Sequence, residues 1–64
     1  MAKTENADLV RSLTQLSERL RGAQRELILS AARSGQLPPE NMIRRISDLE
    51  NTIVAVETLI AEEK

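Results

Sequence analysis

The sequence contains no cysteine, histidine, phenylalanine, tyrosine or tryptophan. The first two absences exclude disulfides and the common zinc sites as sources of stability, and no cofactor is expected. The lack of aromatic rings removes both the platforms on which nucleic-acid bases stack and the large aromatic anchors of protein interfaces. Any binding surface must therefore be built from aliphatic side chains and arginines.

The charge balance and the apolar runs argue against two further classes of partner, polyanions and membranes. The net charge is −1 with 30% charged residues, so the chain as a whole does not attract polyanions. No segment approaches the ~20 consecutive apolar residues of a membrane span, and residues 1–5 carry no apolar run. The expected location is the cytoplasm, with no membrane contact.

Two segments have a heptad pattern of apolar residues, which indicates two amphipathic helices. The first, predicted over about residues 4–34, carries Leu9, Leu13, Leu16, Leu20, Ala23 and Leu27. The second, predicted over about residues 39–62, carries Met42, Ile46, Leu49, Ile53, Val56 and Ile60.

The segment between the helices contains the signals for a turn over residues 35–38. Gly35 suits the left-handed position that ends a helix, and Pro38 and Pro39 fit the first turn of a new one. Leu37 and Met42 are spaced for a hydrophobic staple. So short a connection predicts an antiparallel two-helix hairpin, an all-α fold.

The hairpin geometry predicts which residues face each other. The expected layers are Leu27 with Leu49, Ala23 with Ile53, Leu20 with Val56, and Leu16 with Ile60. Residues 9 and 10 would extend beyond the second helix. The 64 residues form at most one domain, spanning 1–64, whose core is marginal. Oligomerisation or a partner is therefore expected to complete it.

Several apolar residues lie outside the predicted layers, on faces that two helices cannot cover. We interpret them as a surface that meets further helices, from a second copy or from another protein. The candidate partner-binding residues are Val10, Ile28, Leu29, Ala32, Ile43, Val54 and Leu59.

The order of features resembles a known family. The segments VRSLTQL (residues 10–16) and AQREL (23–27), followed by a short turn and DLENTIVAVETLI (48–60), are similar to the helical-hairpin co-chaperones of type III secretion needle subunits. The resemblance implies a cytoplasmic protein that binds a larger helical-repeat chaperone. Together the two would keep a polymerising needle subunit monomeric.

The sequence therefore predicts a non-enzymatic helix-binding module, such as a small chaperone or adaptor subunit. An enzyme is not expected, because there is no histidine or cysteine, no glycine-rich phosphate loop and no cleft-forming fold. One alternative is a homodimeric four-helix bundle that regulates RNA or DNA through the arginines of the first helix. Glu18 and Glu26 interleave with those arginines and disfavour it. Another alternative is a purely structural oligomerisation module.

Overall fold

The protein is a rod of two helices, 51 × 15 × 13 Å along its principal axes. A computed structural model describes the backbone of residues 3–64 and the side chains of residues 6–64. Helix α1 spans Lys3–Ser34 and helix α2 spans Glu40–Glu63, each within one residue of its predicted ends. The two helices pack against each other, which confirms the all-α helical hairpin. Residues 1–5, whose lack of an apolar run contributed to the expected cytoplasmic location, lie outside the described side chains.

Helix α1 ends at a glycine in the left-handed conformation. Gly35 has φ of +71°, as predicted, and the hydroxyl of Ser34 donates to the carbonyl of Ala31 at 2.9 Å. The same hydroxyl oxygen accepts a hydrogen bond from the Gln36 amide at 3.3 Å. These bonds satisfy backbone groups that the end of the helix leaves open.

Helix α2 begins one residue later than its prolines suggest. Pro39 lies at the N-cap with φ −58° and ψ 152°, and its carbonyl accepts from the amides of Met42 and Ile43 at 3.0 and 3.1 Å. The predicted staple between Leu37 and Met42 is wrong, because Leu37 is 88% exposed. With the cap at residue 39, Pro38 takes the position before it and is the half-buried residue of the turn.

The inward face of α2 is the predicted one. Its centre is Ile53, whose side chain is 0% exposed and which is the one buried hydrophobic residue among the described side chains. The other predicted positions are half-buried: Met42, Ile46, Leu49, Val56 and Ile60. This heptad stripe therefore lies along the seam between the helices.

The inward face of α1 differs from the prediction. Leu16 and Ala23 are exposed, so they do not lie at the centre of the seam, where the prediction placed them. The residues turned toward α2 form a second heptad series, Val10, Leu13, Ser17, Leu20, Gln24, Leu27 and Ala31. We call the predicted apolar heptad of α1 the leucine stripe: Leu9, Leu13, Leu16, Leu20, Ala23 and Leu27. At 100° per residue the inward series is rotated by about 50° from this stripe. Helix α1 therefore directs only part of its apolar stripe at α2.

Two polar side chains account for this rotation of α1. Ser17 is only 6% exposed and donates a hydrogen bond to α2, as the half-buried Gln24 also does. Turning the leucine stripe fully inward would move both away from these partners. Val10 takes an inward position and lines a groove with Glu63 and Lys64, so the expectation that it extends beyond α2 is wrong.

Gly22 provides a test of the exposed side of α1. A Cβ atom added there meets nothing within 4 Å, and glycine in a helix interior costs about 1 kcal/mol relative to alanine. We therefore expect Gly22→Ala to raise the free energy of unfolding by about 1 kcal/mol and the melting temperature by about 4 to 8 °C. Thermal unfolding followed by circular dichroism measures the shift. A lower melting temperature would instead indicate that a second helix packs closely against Gly22.

Candidate interaction surfaces

A cluster of polar side chains joins the middle of α1 to the C-terminal half of α2. One carboxylate oxygen of Glu57, Oε2, accepts hydrogen bonds from the hydroxyl of Ser17 at 3.3 Å and from Nε of Arg21 at 3.1 Å. Nη2 of Arg21 donates to the same oxygen at 2.5 Å. The hydrogen bond from Arg21 to Glu57, followed by the attraction between their charges, raises the pKa of Arg21. Because both side chains are about half exposed, this ion pair contributes little to the stability of the fold.

A second polar contact lies closer to the turn. Nε2 of Gln24 donates to Oε1 of Glu50 at 2.9 Å and approaches the carbonyl of Ile46 at 3.5 Å. Glu50 and Glu57 are seven residues apart, so both lie on the same side of α2. We call this side of the hairpin, defined by Arg21, Gln24, Glu50 and Glu57, the bridged face.

Five of the seven candidate partner-binding residues lie along the bridged face. Ile28 and Leu29 line a shallow groove with Arg21 and Gln24, and Ala32 follows Ile28 by one turn. On α2, Ile43 and Val54 lie seven residues before and four residues after Glu50, on the same side of the helix. Three of the five are large and about half exposed: Ile28 at 47%, Ile43 at 44% and Val54 at 52%.

The other two candidate residues are not brought together with these five. Val10 is half-buried at the open end of the seam. Leu59 lies on the opposite side of the hairpin, two heptads after Arg45, which lines a hollow there with Ala23, Leu27 and Leu49. The candidate set is therefore divided among three places: the bridged face, the opposite side and the open end of the seam.

The opposite side carries a second aliphatic surface, whose α1 residues the sequence analysis placed in the apolar heptad of the first helix. On α1, Leu9, Leu16 and Ala23 are exposed at intervals of seven residues, and on α2, Thr52 and Leu59 are exposed at the same interval. We call these five residues the leucine face. None of the interhelical hydrogen bonds between described side chains involves a residue of this face.

The signal for the leucine face was present in the sequence but was not used. Ser17 and Gln24 each follow a residue of the leucine stripe, and Glu57 and Glu50 lie within one turn of Ile53 on α2. Complementary polar residues seven apart on both helices indicate an interhelical contact. They also indicate that the neighbouring edge of the α1 stripe turns away from the seam.

Two of the arginines of α1 form ion pairs. Arg21 pairs with Glu57, and Arg11 pairs with Asp8 on its own helix at 3.2 Å. Within the described residues no group of three acidic, cysteine or histidine side chains is arranged to hold a metal ion. Neither described helix combines the length and apolar character that crossing a membrane requires.

Comparisons with known protein families, with curated proteins and with solved structures found no match for this chain.

Proposed function

We propose that the protein is a non-enzymatic module that binds an amphipathic helix of another protein, as a small chaperone or adaptor subunit of the cytoplasm. The observation that supports this is the row of half-exposed aliphatic residues on the bridged face, Ile28, Ile43 and Val54. Aliphatic anchors flanked by polar side chains are the usual means of binding a helix in a groove.

The spacing of these residues defines the partner helix. Ile43 and Val54 are eleven residues apart on α2, which corresponds to about 16 Å, or three helical turns. A partner helix that contacts both needs apolar residues at i, i+4, i+7 and i+11. The polar side chains between them already bond to each other, so covering them leaves fewer polar groups without a partner.

The family resemblance names a partner of this kind. In the proposed role, the chain would bind a larger helical-repeat chaperone, and the two would cover the polymerising helix of a needle subunit. The observation that supports this role is the architecture of the protein, a two-helix hairpin with exposed aliphatic residues. A needle-type subunit that polymerises through an amphipathic helix has the surface that the bridged face requires.

A labelled peptide tests the helix-binding proposal. The probe is an amphipathic helical peptide of about five turns with leucine at i, i+4, i+7 and i+11, and fluorescence anisotropy measures its dissociation constant. We expect Ile28→Asp or Val54→Asp to weaken binding at least tenfold, equivalent to about 1.4 kcal/mol. The physical reason is that either change places an unpaired carboxylate in an aliphatic contact.

The control is Asn51→Asp, which adds the same charge to the outer side of α2 and should leave binding unchanged. Raising the salt concentration should not weaken aliphatic binding, whereas contacts to phosphate weaken steeply with salt. The proposal is wrong if the peptide does not bind, or if the control variant reduces binding as much as Val54→Asp does. Salt-sensitive binding of an RNA or DNA oligonucleotide in its place would support the nucleic-acid alternative.

A further inference from the structure

The leucine face is self-complementary in size. Leu16 and Leu59 lie at one level of the hairpin, because Leu16 precedes Ser17 by one residue and Leu59 follows its partner Glu57 by two. Ala23 and Thr52 stand in the same relation to the bonded pair Gln24 and Glu50. The face therefore has a pair of large residues and, seven residues or about 10 Å away, a pair of small ones.

A hollow begins at Ala23 and extends toward the turn. Its volume is about 360 Å³, and it is lined by Ala23, Glu26, Leu27, Arg45 and Leu49. The hydroxyl of Thr52 donates to the carbonyl of Asp48 at 2.9 Å, so its donor is already satisfied when another chain covers it. The large pair beside the hollow is 36% exposed at Leu16 and 39% at Leu59.

We propose that a second copy of this chain covers the leucine face. A two-fold axis perpendicular to the helices and midway between the two levels places Leu16 and Leu59 of each copy on Ala23 and Thr52 of the other. Large residues then meet small ones in both directions, as close packing of helices requires. The result is a four-helix bundle in which the turns of the two hairpins lie at opposite ends.

The solvent-exposed area of the chain supports a dimer interface of standard size. The chain exposes 5026 Å², whereas a compact monomer of 7.1 kDa exposes roughly 4,100 Å². The excess is roughly 900 Å² per chain, close to the ~800 Å² that each partner buries in a standard-size interface.

The charges on α2 favour a second copy in the antiparallel orientation. Arg45 lies near the turn on the edge of the leucine face, and α2 ends in Glu62 and Glu63 with no basic residue in its last turn. Acidic residues at the C-terminus of a helix are unfavourable in the field of its dipole, and the one basic residue next to them is the C-cap, Lys64. The two-fold axis brings Arg45 of each copy within about one turn of these glutamates in the other.

Sedimentation equilibrium over a wide concentration range tests the proposal on the full chain. The expected result is a monomer–dimer equilibrium with helicity that rises with concentration. Leu16→Glu should raise the dissociation constant roughly 100-fold, because it changes a central contact twice in the symmetric dimer. Gln15→Glu, the same charge change on the neighbouring outward position, should leave it unaltered.

A substitution that adds apolar surface separates specific packing from general hydrophobic association. Ala23→Leu fills the hollow and should weaken the dimer roughly tenfold through overpacking. Combining it with Leu16→Ala restores a large residue opposite a small one and should recover dimerisation. If Ala23→Leu strengthens association, the contact is not the one proposed.

Engineered cysteines test the orientation, since the chain contains none. Mixing Leu16→Cys with Ala23→Cys protein should give the mixed disulfide dimer on oxidation. Preferential coupling of Leu16→Cys with Leu59→Cys would indicate that the turns lie at the same end and would overturn the antiparallel arrangement. A chain that stays monomeric at all concentrations would overturn the dimer itself and leave the helix-binding proposal for the bridged face standing.

Discussion

Replacing Ile53 by alanine is expected to cause the largest loss in the free energy of unfolding among the substitutions proposed for this chain. The Ile53 side chain is 0% exposed, and among the described residues no other hydrophobic side chain is buried to this degree. Truncating such a residue costs about 2 to 5 kcal/mol, because the protein loses both the apolar burial and the contacts around the new cavity. The total stability of a 64-residue chain is roughly 3 to 10 kcal/mol, so one substitution removes a large share of it.

The neighbouring residue supplies the control for this experiment. Val54 is 52% exposed, and Val54→Ala removes apolar atoms from a position that solvent already reaches, so its effect should stay within about 0.5 kcal/mol. Both variants are measured by urea unfolding followed by circular dichroism, at one protein concentration because association shifts apparent stability. Equal losses for the two variants would contradict the placement of Ile53 at the centre of the seam.

Replacing Gly35 by valine is expected to cause the second-largest loss of stability. Gly35 has φ of +71°, a conformation that β-branched residues rarely adopt and that costs about 1 to 3 kcal/mol when they are forced into it. Space is not the cause, since a Cβ atom at this position meets nothing within 4 Å. The melting temperature should fall by roughly 4 to 8 °C for each kcal/mol lost.

Asparagine at position 35 isolates the backbone effect. Asparagine enters the left-handed region more readily than other residues with a side chain, so Gly35→Asn should cost less than Gly35→Val. Gly22 has no positive φ, and alanine there is expected to stabilise, as argued above. If valine and asparagine at position 35 lower the melting temperature equally, the cost does not come from the left-handed conformation.

The hairpin itself was predictable because its signals are local. The apolar heptads of both helices, the glycine at the end of α1 and the two prolines before α2 each depend on a few neighbouring residues. The seam of α2 was also predictable, since its six apolar positions have no polar competitor. Local pattern was therefore sufficient for the fold class and for one of the two packing faces.

The rotation of α1 could not be predicted from its own pattern. Its leucine stripe is regular, yet the helix turns Ser17 and Gln24 inward because glutamates on α2 accept their hydrogen bonds. That contact joins residues as far as 40 positions apart. Hydrophobic periodicity indicates which face of a single helix is apolar. The position of a buried polar side chain depends on its hydrogen-bond partner, which here lies on the other helix. These interhelical hydrogen bonds also define the bridged face, and Leu59 lies on the opposite side of the hairpin from it.

The short turn also influences the order in which the hairpin forms. Contacts across the seam join residues 22 apart at Gln24 and Ile46 and 40 apart at Ser17 and Glu57. Closing a chain loop costs more entropy as the loop lengthens, so pairing is favoured first beside the turn and then toward the open end. On the ribosome α1 is complete before α2 has been made, and its leucines stay without a partner until the turn has formed.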